Sequence, residues 1–128
     1  MGINTVVVID DDDIQHYIVR ANFKKINPEI QIMSFLGAEL ALTYLAELPV
    51  EEMPLVILLD LNMPEVDGWE FLNRYQNFKN KADVLIVTSS IDPVDIEKSK
   101  QYVDVKHFIS KPLDREKATA IVNAYKVK

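Results

Sequence analysis

The sequence predicts an α/β fold in which a five-stranded parallel sheet, covered by helices on both faces, forms a three-layer α/β/α sandwich. Short β-branched runs alternate with helical patterns five times, which is typical of folds built from βα repeats. The central run LVILL, residues 55–59, is apolar at every position, as expected of a strand buried on both sides. With 128 residues, of which 48% are hydrophobic, we expect a single domain over residues 1–128.

Each predicted element rests on a local pattern. Strands are expected where β-branched and other apolar residues run together, and helices where apolar residues recur every three or four positions. The predicted strands are residues 4–10, 30–35, 55–60, 83–88 and 105–110. The predicted helices are residues 13–26, 38–47, 67–79, 93–102 and 114–126.

The third and fourth helices carry explicit start signals. Asp67 is followed three residues later by Glu70, which is the spacing of a capping pair. Asp92 precedes Pro93, and proline is favoured at the first helical position. Asp95 in the same turn complements the helix dipole. We therefore interpret these aspartates as structural.

The last helical pattern has one apolar face. Ala118, Ile121, Val122 and Tyr125 recur at i, i+3, i+4 and i+7, while charged and polar residues occupy most other positions. We expect this helix to cover one side of the sheet.

Composition narrows the class of protein. Fourteen basic and twenty acidic residues give a net charge of -6, which argues against nucleic acid as the main partner. Cysteine is absent, so disulfide bonds and thiolate chemistry are excluded. This composition is compatible with a protein of the reducing cytosol. No apolar stretch reaches membrane-spanning length, and the first residues have no basic region or cleavage site of a signal peptide. We expect a cytoplasmic protein with no membrane partner.

Polar residues follow four of the apolar runs: Asp10 and Asp11, then Asp60, Thr88 and Lys111. The carboxyl ends of parallel strands meet at one edge of the sheet, where open α/β folds place their sites. We therefore expect the five side chains to converge there.

These residue types suit phosphoryl chemistry. A carboxylate at a strand end, such as Asp60, can act as a nucleophile toward a phosphoryl group. Asp10 and Asp11 would bring further negative charge, which requires a compensating cation. Mg²⁺ prefers such oxygen ligands. Lys111 and Thr88 can donate to phosphoryl oxygens.

Four motifs together resemble the receiver domain of bacterial response regulators in two-component signalling. They are VVVIDDDD, ILLDLNMPEVDGWEFL, VLIVTSS and HFISKPL, and their order and spacing match that family over nearly the whole chain. The resemblance implies a flavodoxin-like strand order of 2-1-3-4-5. Since the sequence stops soon after the fifth predicted helix, we expect a stand-alone response regulator that acts on an unknown downstream protein target.

The resemblance implies that Asp60 accepts a phosphoryl group from a phosphohistidine of a sensor histidine kinase or phosphotransfer protein. Asp11, Asp60 and the backbone carbonyl of Asn62 would bind Mg²⁺ directly, and Asp10 would assist through water. Asn62 and Ser90 would lie near the path of the water that hydrolyses the acyl phosphate. The protein would catalyse only its own phosphorylation and dephosphorylation, and in that sense it is not an enzyme.

The resemblance also implies a switch. Lys111 and Thr88 would contact the phosphoryl oxygens, and the small Ser89 would leave the entry path open. Movement of Thr88 toward the phosphate would be coupled to Phe108 on the fifth strand. The readout surface would be formed by the fourth helix, fifth strand and fifth helix. The Lys111-Pro112 peptide bond is expected to be cis.

Three other functions are weighed against this one. A phosphorylation-independent adaptor would use the same fold, but every site residue type is present. A phosphatase of the haloacid-dehalogenase type needs a second acid two residues after the nucleophile, where this chain has Asn62. A flavin carrier is disfavoured because the first strand leads into four aspartates instead of a glycine-rich phosphate-binding loop.

Several residues are interpreted as structural. Neither His16 nor His107 belongs to a metal-ligand spacing pattern in the sequence. Trp69 is expected to pack near the site, where it can report phosphorylation by fluorescence.

Two segments depart from the family pattern. Residues 48–54 (LPVEEMP) form a long connection, and residues 102–105 (YVDV) lack the usual Gly-Ala before the fifth strand.

Overall fold

The five predicted strands form one parallel sheet. The computed structural model describes residues 4–89 and 91–125. The strands are β1 (Thr5–Ile9), β2 (Gln31–Phe35), β3 (Val56–Leu59), β4 (Asp83–Thr88) and β5 (Val105–Ser110). Their order is β2-β1-β3-β4-β5, and every neighbouring pair is parallel. The predicted 2-1-3-4-5 order is confirmed, and all five strands end at the same edge.

Within the residues that the structure describes, five α-helices connect and cover the strands. They are α1 (Asp13–Ile26), α2 (Ala38–Ala46), α3 (Gly68–Tyr75), α4 (Pro93–Ser99) and α5 (Arg115–Tyr125). A short 3₁₀ helix, Val50–Glu52, lies in the long connection before β3. Within the described parts of the chain, no helix combines the length and apolar character needed to cross a membrane.

Two helices end at least three residues earlier than the sequence predicts. α3 ends at Tyr75 instead of residue 79, and α4 ends at Ser99 instead of residue 102. In both places the chain tightens into i to i+3 hydrogen bonds, such as Phe78 N to Tyr75 O (2.9 Å) and Tyr102 N to Ser99 O (3.1 Å). Turns of this 3₁₀ type are frequent where α-helices end. The predicted end of the last helix at residue 126, and Ser90, lie outside the described residues.

The sheet has a core on each face, which confirms the three-layer sandwich. Side chains of β3 alternate between the two cores. Ile57 and Leu59 pack with residues of α2 and α3, whereas Val56 and Leu58 pack with residues of α1 and α5. All four are at most 2% exposed. The continuous apolar run is therefore explained by burial on both sides.

A β-bulge lies in the edge strand β5. Val84 pairs with Val105 and Leu85 pairs with His107, so Lys106 is an extra residue. Val105 and Phe108 are three positions apart, yet both pack against the core on the α2 and α3 side. Without the bulge, strand alternation would direct them to opposite faces. The bulge therefore sets which face Phe108 occupies.

The four consecutive aspartates after β1 occupy different environments. Asp10 is buried, at 4% exposed, whereas Asp11 is exposed. Asp12 is the N-cap of α1, and its carboxylate accepts a hydrogen bond from Ile14 N at 2.9 Å. Asp13 lies in the first helical turn, where negative charge is favourable. The predicted caps Asp67 and Asp92 are confirmed in the same way.

Candidate functional site

Asp10 and Asp60 are held side by side by main-chain hydrogen bonds. Asp60 N donates to Ile9 O at 2.9 Å, and Asp10 N donates to Phe35 O at 3.0 Å. Each aspartate thus extends the hydrogen-bond ladder by one residue beyond its strand. Both residues are buried, at 4% exposed for Asp10 and 5% for Asp60. The main chains of the two residues are therefore fixed beside each other.

Lys111 brings a positive charge to this pair. Its main-chain N–H donates to Thr88 O at 2.9 Å, and its Nζ lies 2.7 Å from Asp10 Oδ2 and 3.5 Å from Asp60 Oδ2. The Lys111-Pro112 peptide is cis, as expected. The predicted contact between Lys111 and Asp60 is present, but the shorter contact is with Asp10.

The charges in the site are unevenly balanced. Burial and the nearby Asp10 carboxylate raise the pKa of Asp60 above its ordinary value, and Lys111 offsets only part of this effect. Burial by itself would lower the pKa of Lys111, but Asp10 and Asp60 outweigh it, so that the pKa lies above its usual value. Lys111 is therefore protonated at neutral pH, and its single charge is shared by two carboxylates.

Asp11 completes an acidic cluster with Asp10 and Asp60. Each offers a carboxylate oxygen, and the three oxygens lie within 4.8 Å of one another. Three carboxylates against one ammonium leave an excess of negative charge that a divalent cation would neutralise. Asp11 is exposed, so the cluster is open to solvent on one side. The residues therefore fit Mg²⁺, which favours oxygen ligands and keeps several waters.

Asn62 lies at the turn that follows Asp60. Its main-chain N–H points toward Asp60 Oδ1 at 3.4 Å, and its side chain is exposed. The turn therefore keeps Asn62 beside the carboxylate. The role of its carbonyl in metal binding stays a prediction.

Thr88 and Phe108 lie on the same face of the sheet. Thr88 pairs with Ser110, and Ile86 pairs with Phe108, so the two residues are diagonal neighbours on adjacent strands. Thr88 is 1% exposed. Phe108 is half-buried and borders a groove of about 250 Å³ between β5 and α4. The neighbouring Ser89 is exposed, and the coupling of Thr88 to Phe108 stays a prediction.

Gly68 is packed against the turn that carries Asp60. A Cβ atom at this position would lie 2.7 Å from Leu61 Cα and 2.8 Å from Asp60 O. These distances are shorter than real carbon contacts. Glycine is required here because the first turn of α3 approaches the Asp60 main chain so closely.

His16 contacts the site, which the sequence analysis did not predict. Its Nε2 lies 2.7 Å from Asp10 O in a buried hydrogen bond, and the residue is 5% exposed. Since a carbonyl can only accept, His16 donates through Nε2. A signal was present in the sequence: His16, Val19 and Phe23 recur at i, i+3 and i+7 on the buried face of α1. A histidine on such a face requires a polar partner.

Comparison with known proteins identifies the family. The family model described as "Response regulator receiver domain" matches residues 6–123. The chain therefore belongs to the response regulator receiver family, whose members act in two-component signalling. The family predicted from the four motifs is confirmed.

Individual relatives agree with this assignment. The chain is 30% identical over 79 residues to sporulation initiation phosphotransferase F of Bacillus subtilis (strain 168), covering 62% of this chain and 63% of that protein. It is 32% identical over 62 residues to chemotaxis protein CheY of Treponema pallidum (strain Nichols), covering 48% of this chain and 42% of that protein. The matches thus span less than two thirds of either relative.

A solved structure matches over the full length. The two component response regulator from Cytophaga hutchinsonii is 30% identical, with a TM-score of 0.85 and coverage of 100% of both chains. This likeness agrees with the strand order and the five helices described above.

Proposed function

We propose that Asp60 accepts a phosphoryl group from a phosphohistidine of a sensor histidine kinase or phosphotransfer protein in a Mg²⁺-dependent reaction. The observation that carries this proposal is the convergence of two buried carboxylates on one ammonium, with Lys111 Nζ 2.7 Å from Asp10 and 3.5 Å from Asp60. The family supports the same class of partner.

The reaction is a transfer between two nucleophiles. A carboxylate oxygen of Asp60 forms a bond to phosphorus, the bond between phosphorus and the donor imidazole nitrogen breaks, and its electron pair stays on the imidazole. The product is an acyl phosphate on Asp60. Lys111 is close enough to neutralise a phosphoryl oxygen, and Thr88, at the neighbouring strand end, supplies a hydroxyl.

Asp10, Asp11, Asp60 and the backbone carbonyl of Asn62 are the groups that would hold Mg²⁺. The bound ion would neutralise phosphoryl charge that Lys111 alone cannot balance. The residues of the chain supply alignment, because both aspartates are fixed to neighbouring strands by their main-chain N–H groups.

We propose that the phosphorylated form signals through the face formed by α4, β5 and α5 to a downstream protein, with Thr88 and Phe108 as the switch. The half-buried position of Phe108 beside a groove of about 250 Å³ supports this, since the ring has room to move. The net charge of -6 disfavours nucleic acid as a partner. We further propose a cytoplasmic, stand-alone phosphoacceptor with no membrane partner that catalyses only its own phosphorylation and dephosphorylation.

The test is phosphorylation by acetyl phosphate with Mg²⁺, followed by intact mass. Wild-type protein should gain one phosphoryl group, and Asp60→Asn should gain none. Asp12→Asn is the matched control, since it makes the same chemical change in the adjacent loop while asparagine still caps α1; it should be phosphorylated like wild type. If the wild-type protein gained no phosphoryl group, the result would instead support a phosphorylation-independent adaptor.

A separate measurement tests the alternative that the protein is a phosphatase. Turnover of p-nitrophenyl phosphate in large excess over protein would support it. We expect none, because the position two residues after Asp60 is Asn62, whose exposed amide cannot act as a general acid.

A further inference from the structure

Lys117 on α5 binds the main chain on both sides of Lys111. Its Nζ lies 2.6 Å from Ser110 O, 3.1 Å from Ser110 Oγ and 3.3 Å from Pro112 O. The two carbonyls belong to the residues immediately before and after Lys111. One side chain therefore brackets the residue whose ammonium enters the site.

The contacts match the hydrogen-bonding capacity of an ammonium group. A lysine has three N–H donors, and three acceptors surround Lys117. Among the described residues it forms no ion pair with a carboxylate. The positive charge of Lys117 is thus directed at neutral oxygens of the loop instead of at an acidic partner.

The main chain around Lys111 is hydrogen-bonded only in part by its own backbone groups. Ser110 is the last residue of β5, which is an edge strand, so its carbonyl has no further strand to pair with. Pro112 has no N–H. The Pro112 carbonyl also accepts a hydrogen bond from Asp114 N at 3.0 Å. Two further anchors act at different points: Lys111 N donates to Thr88 O at 2.9 Å, and Asn22 Nδ2 of α1 donates to Leu113 O at 2.9 Å. Lys117 is the side chain that holds the two peptide groups flanking Lys111.

We propose that Lys117 is a positioning residue for phosphoryl transfer, which holds the segment 110–112 so that Lys111 reaches both Asp10 and Asp60. This inference rests on the proposed function. It adds to that function a residue outside the site, in the first turn of α5, that sets the geometry of the Lys111 ammonium.

The test compares phosphorylation rates with acetyl phosphate at saturating Mg²⁺. Lys117→Met keeps the length of the side chain and removes all donors, and the rate should fall about tenfold because small misplacements of a reacting group are costly. Lys117→Arg keeps donors within reach of the carbonyls and should restore most of the rate. Lys106→Met is the matched control: it removes a lysine of β5 whose Nζ contacts Val103 O (3.0 Å), away from Lys111, and its rate should equal that of wild type.

Epistasis distinguishes positioning from a general structural effect. If Lys117 acts through Lys111, then Lys117→Met should change the rate less than twofold in a Lys111→Ala background. A full tenfold loss in that background, or no rescue by arginine, would overturn the inference. So would a Lys117→Met rate equal to that of wild type.

Hydrogen exchange separates this inference from the proposed function. Amides of residues 110–114 should exchange faster in Lys117→Met than in wild type, with no change across β1 and β3. Lack of phosphorylation in wild type would contradict the proposed function, and the anchoring would then be judged by exchange alone. Unchanged exchange in this segment would refute the anchoring, whatever the phosphorylation result.

Discussion

Two buried carboxylates in the site differ in how tightly they are held. Asp10 makes short contacts, with Asp12 N donating to its Oδ1 at 2.9 Å and Lys111 Nζ at 2.7 Å from its Oδ2. The corresponding contacts of Asp60 are 3.4 Å with Asn62 N and 3.5 Å with Lys111. Loosely held oxygens are better nucleophiles than fully bonded ones. This difference supports the proposal that Asp60 is the phosphoryl acceptor and Asp10 its fixed neighbour.

The raised pKa of Asp60 predicts a pH-dependent effect of Asp60→Asn on stability. Since the folded-state pKa lies above the ordinary value of 3.8, ionisation of Asp60 destabilises the fold as pH rises through the folded-state pKa. Without divalent metal, Asp60→Asn should therefore raise the free energy of unfolding at pH 7 by an amount on the order of 1 kcal/mol. The gain should shrink as the pH falls below the folded-state pKa, where the native carboxyl is protonated.

Urea unfolding of both proteins in EDTA at several pH values measures this difference. Asp67→Asn is a suitable comparison, because Asp67 is an exposed cap and asparagine also caps helices. A loss of stability in Asp60→Asn at pH 7 would contradict the assigned direction of the pKa shift.

The contact between His16 and Asp10 O predicts the effect of removing its donor. His16→Leu would leave a buried carbonyl without a partner and should cost about 1–3 kcal/mol of unfolding free energy. His16→Gln retains an N–H donor and should lose less. Thermal or urea unfolding measures both, with His107→Leu as the control, since His107 is exposed on the edge strand. Equal stability of His16→Leu and wild type would exclude an energetic role for this hydrogen bond.

At the scale of the elements, the turn after β3 packs closely against the start of α3. Gly68 N donates to Leu61 O at 3.0 Å, which fixes the start of α3 against the strand end. Beyond Gly68, the Trp69 ring lies 5.9 Å from that of Tyr102 and 4.4 Å from Lys98 Nζ of α4. The α3 start thus links the Asp60 turn to α4, and Trp69 packs there as predicted.

Gly68→Ala tests the close approach at this turn. The added Cβ would meet backbone atoms at 2.7 and 2.8 Å, so the turn must shift, at a cost of about 1–3 kcal/mol. The phosphorylation rate should fall as well, because the displaced backbone carries Asp60. Gly37→Ala is the matched control, since a Cβ there meets nothing within 4 Å, and it should cost about 0.5 kcal/mol as a change of N-cap residue. Equal effects of the two substitutions would refute the steric explanation.

At the scale of the whole molecule, the site concentrates part of the negative charge of the chain. The net charge is -6, and three carboxylates of the sheet edge lie within reach of one cation. A ligand that binds only the folded protein stabilises it in proportion to the logarithm of its concentration. Metal binding should therefore be visible in the stability of the entire domain.

Adding Mg²⁺ should raise the free energy of unfolding by about 2–3 kcal/mol at a hundredfold excess over its dissociation constant. Sodium chloride at the same ionic strength should raise the free energy of unfolding by less, since it only screens charge. Asp11→Asn should weaken the Mg²⁺ effect while leaving the metal-free fold intact, because Asp11 is exposed. Thermal unfolding with each salt measures both effects, and equal stabilisation by the two salts would argue against a specific metal site.

The fold was predictable because its signals are local. Continuous apolar runs identify strands that are covered on both faces, and Asp67 and Asp92 mark helix starts by their own side-chain hydrogen bonds. The ends of α3 and α4 were placed too late because i to i+3 turns leave no pattern in hydrophobic periodicity. The bulge at Lys106 was missed for a similar reason, since one extra residue in a strand has no compositional signature.

The sequence by itself determined the class of fold, the family, and which polar residues follow which strands, because strand-end positions are a property of the chain order. Only the tertiary structure decided that Lys111 lies nearer to Asp10 than to Asp60, that His16 donates to the Asp10 carbonyl, and that Lys117 brackets Lys111. These contacts join residues from different elements at distances of a few ångströms. Such distances depend on how helices pack against the sheet, which no local pattern of residues records.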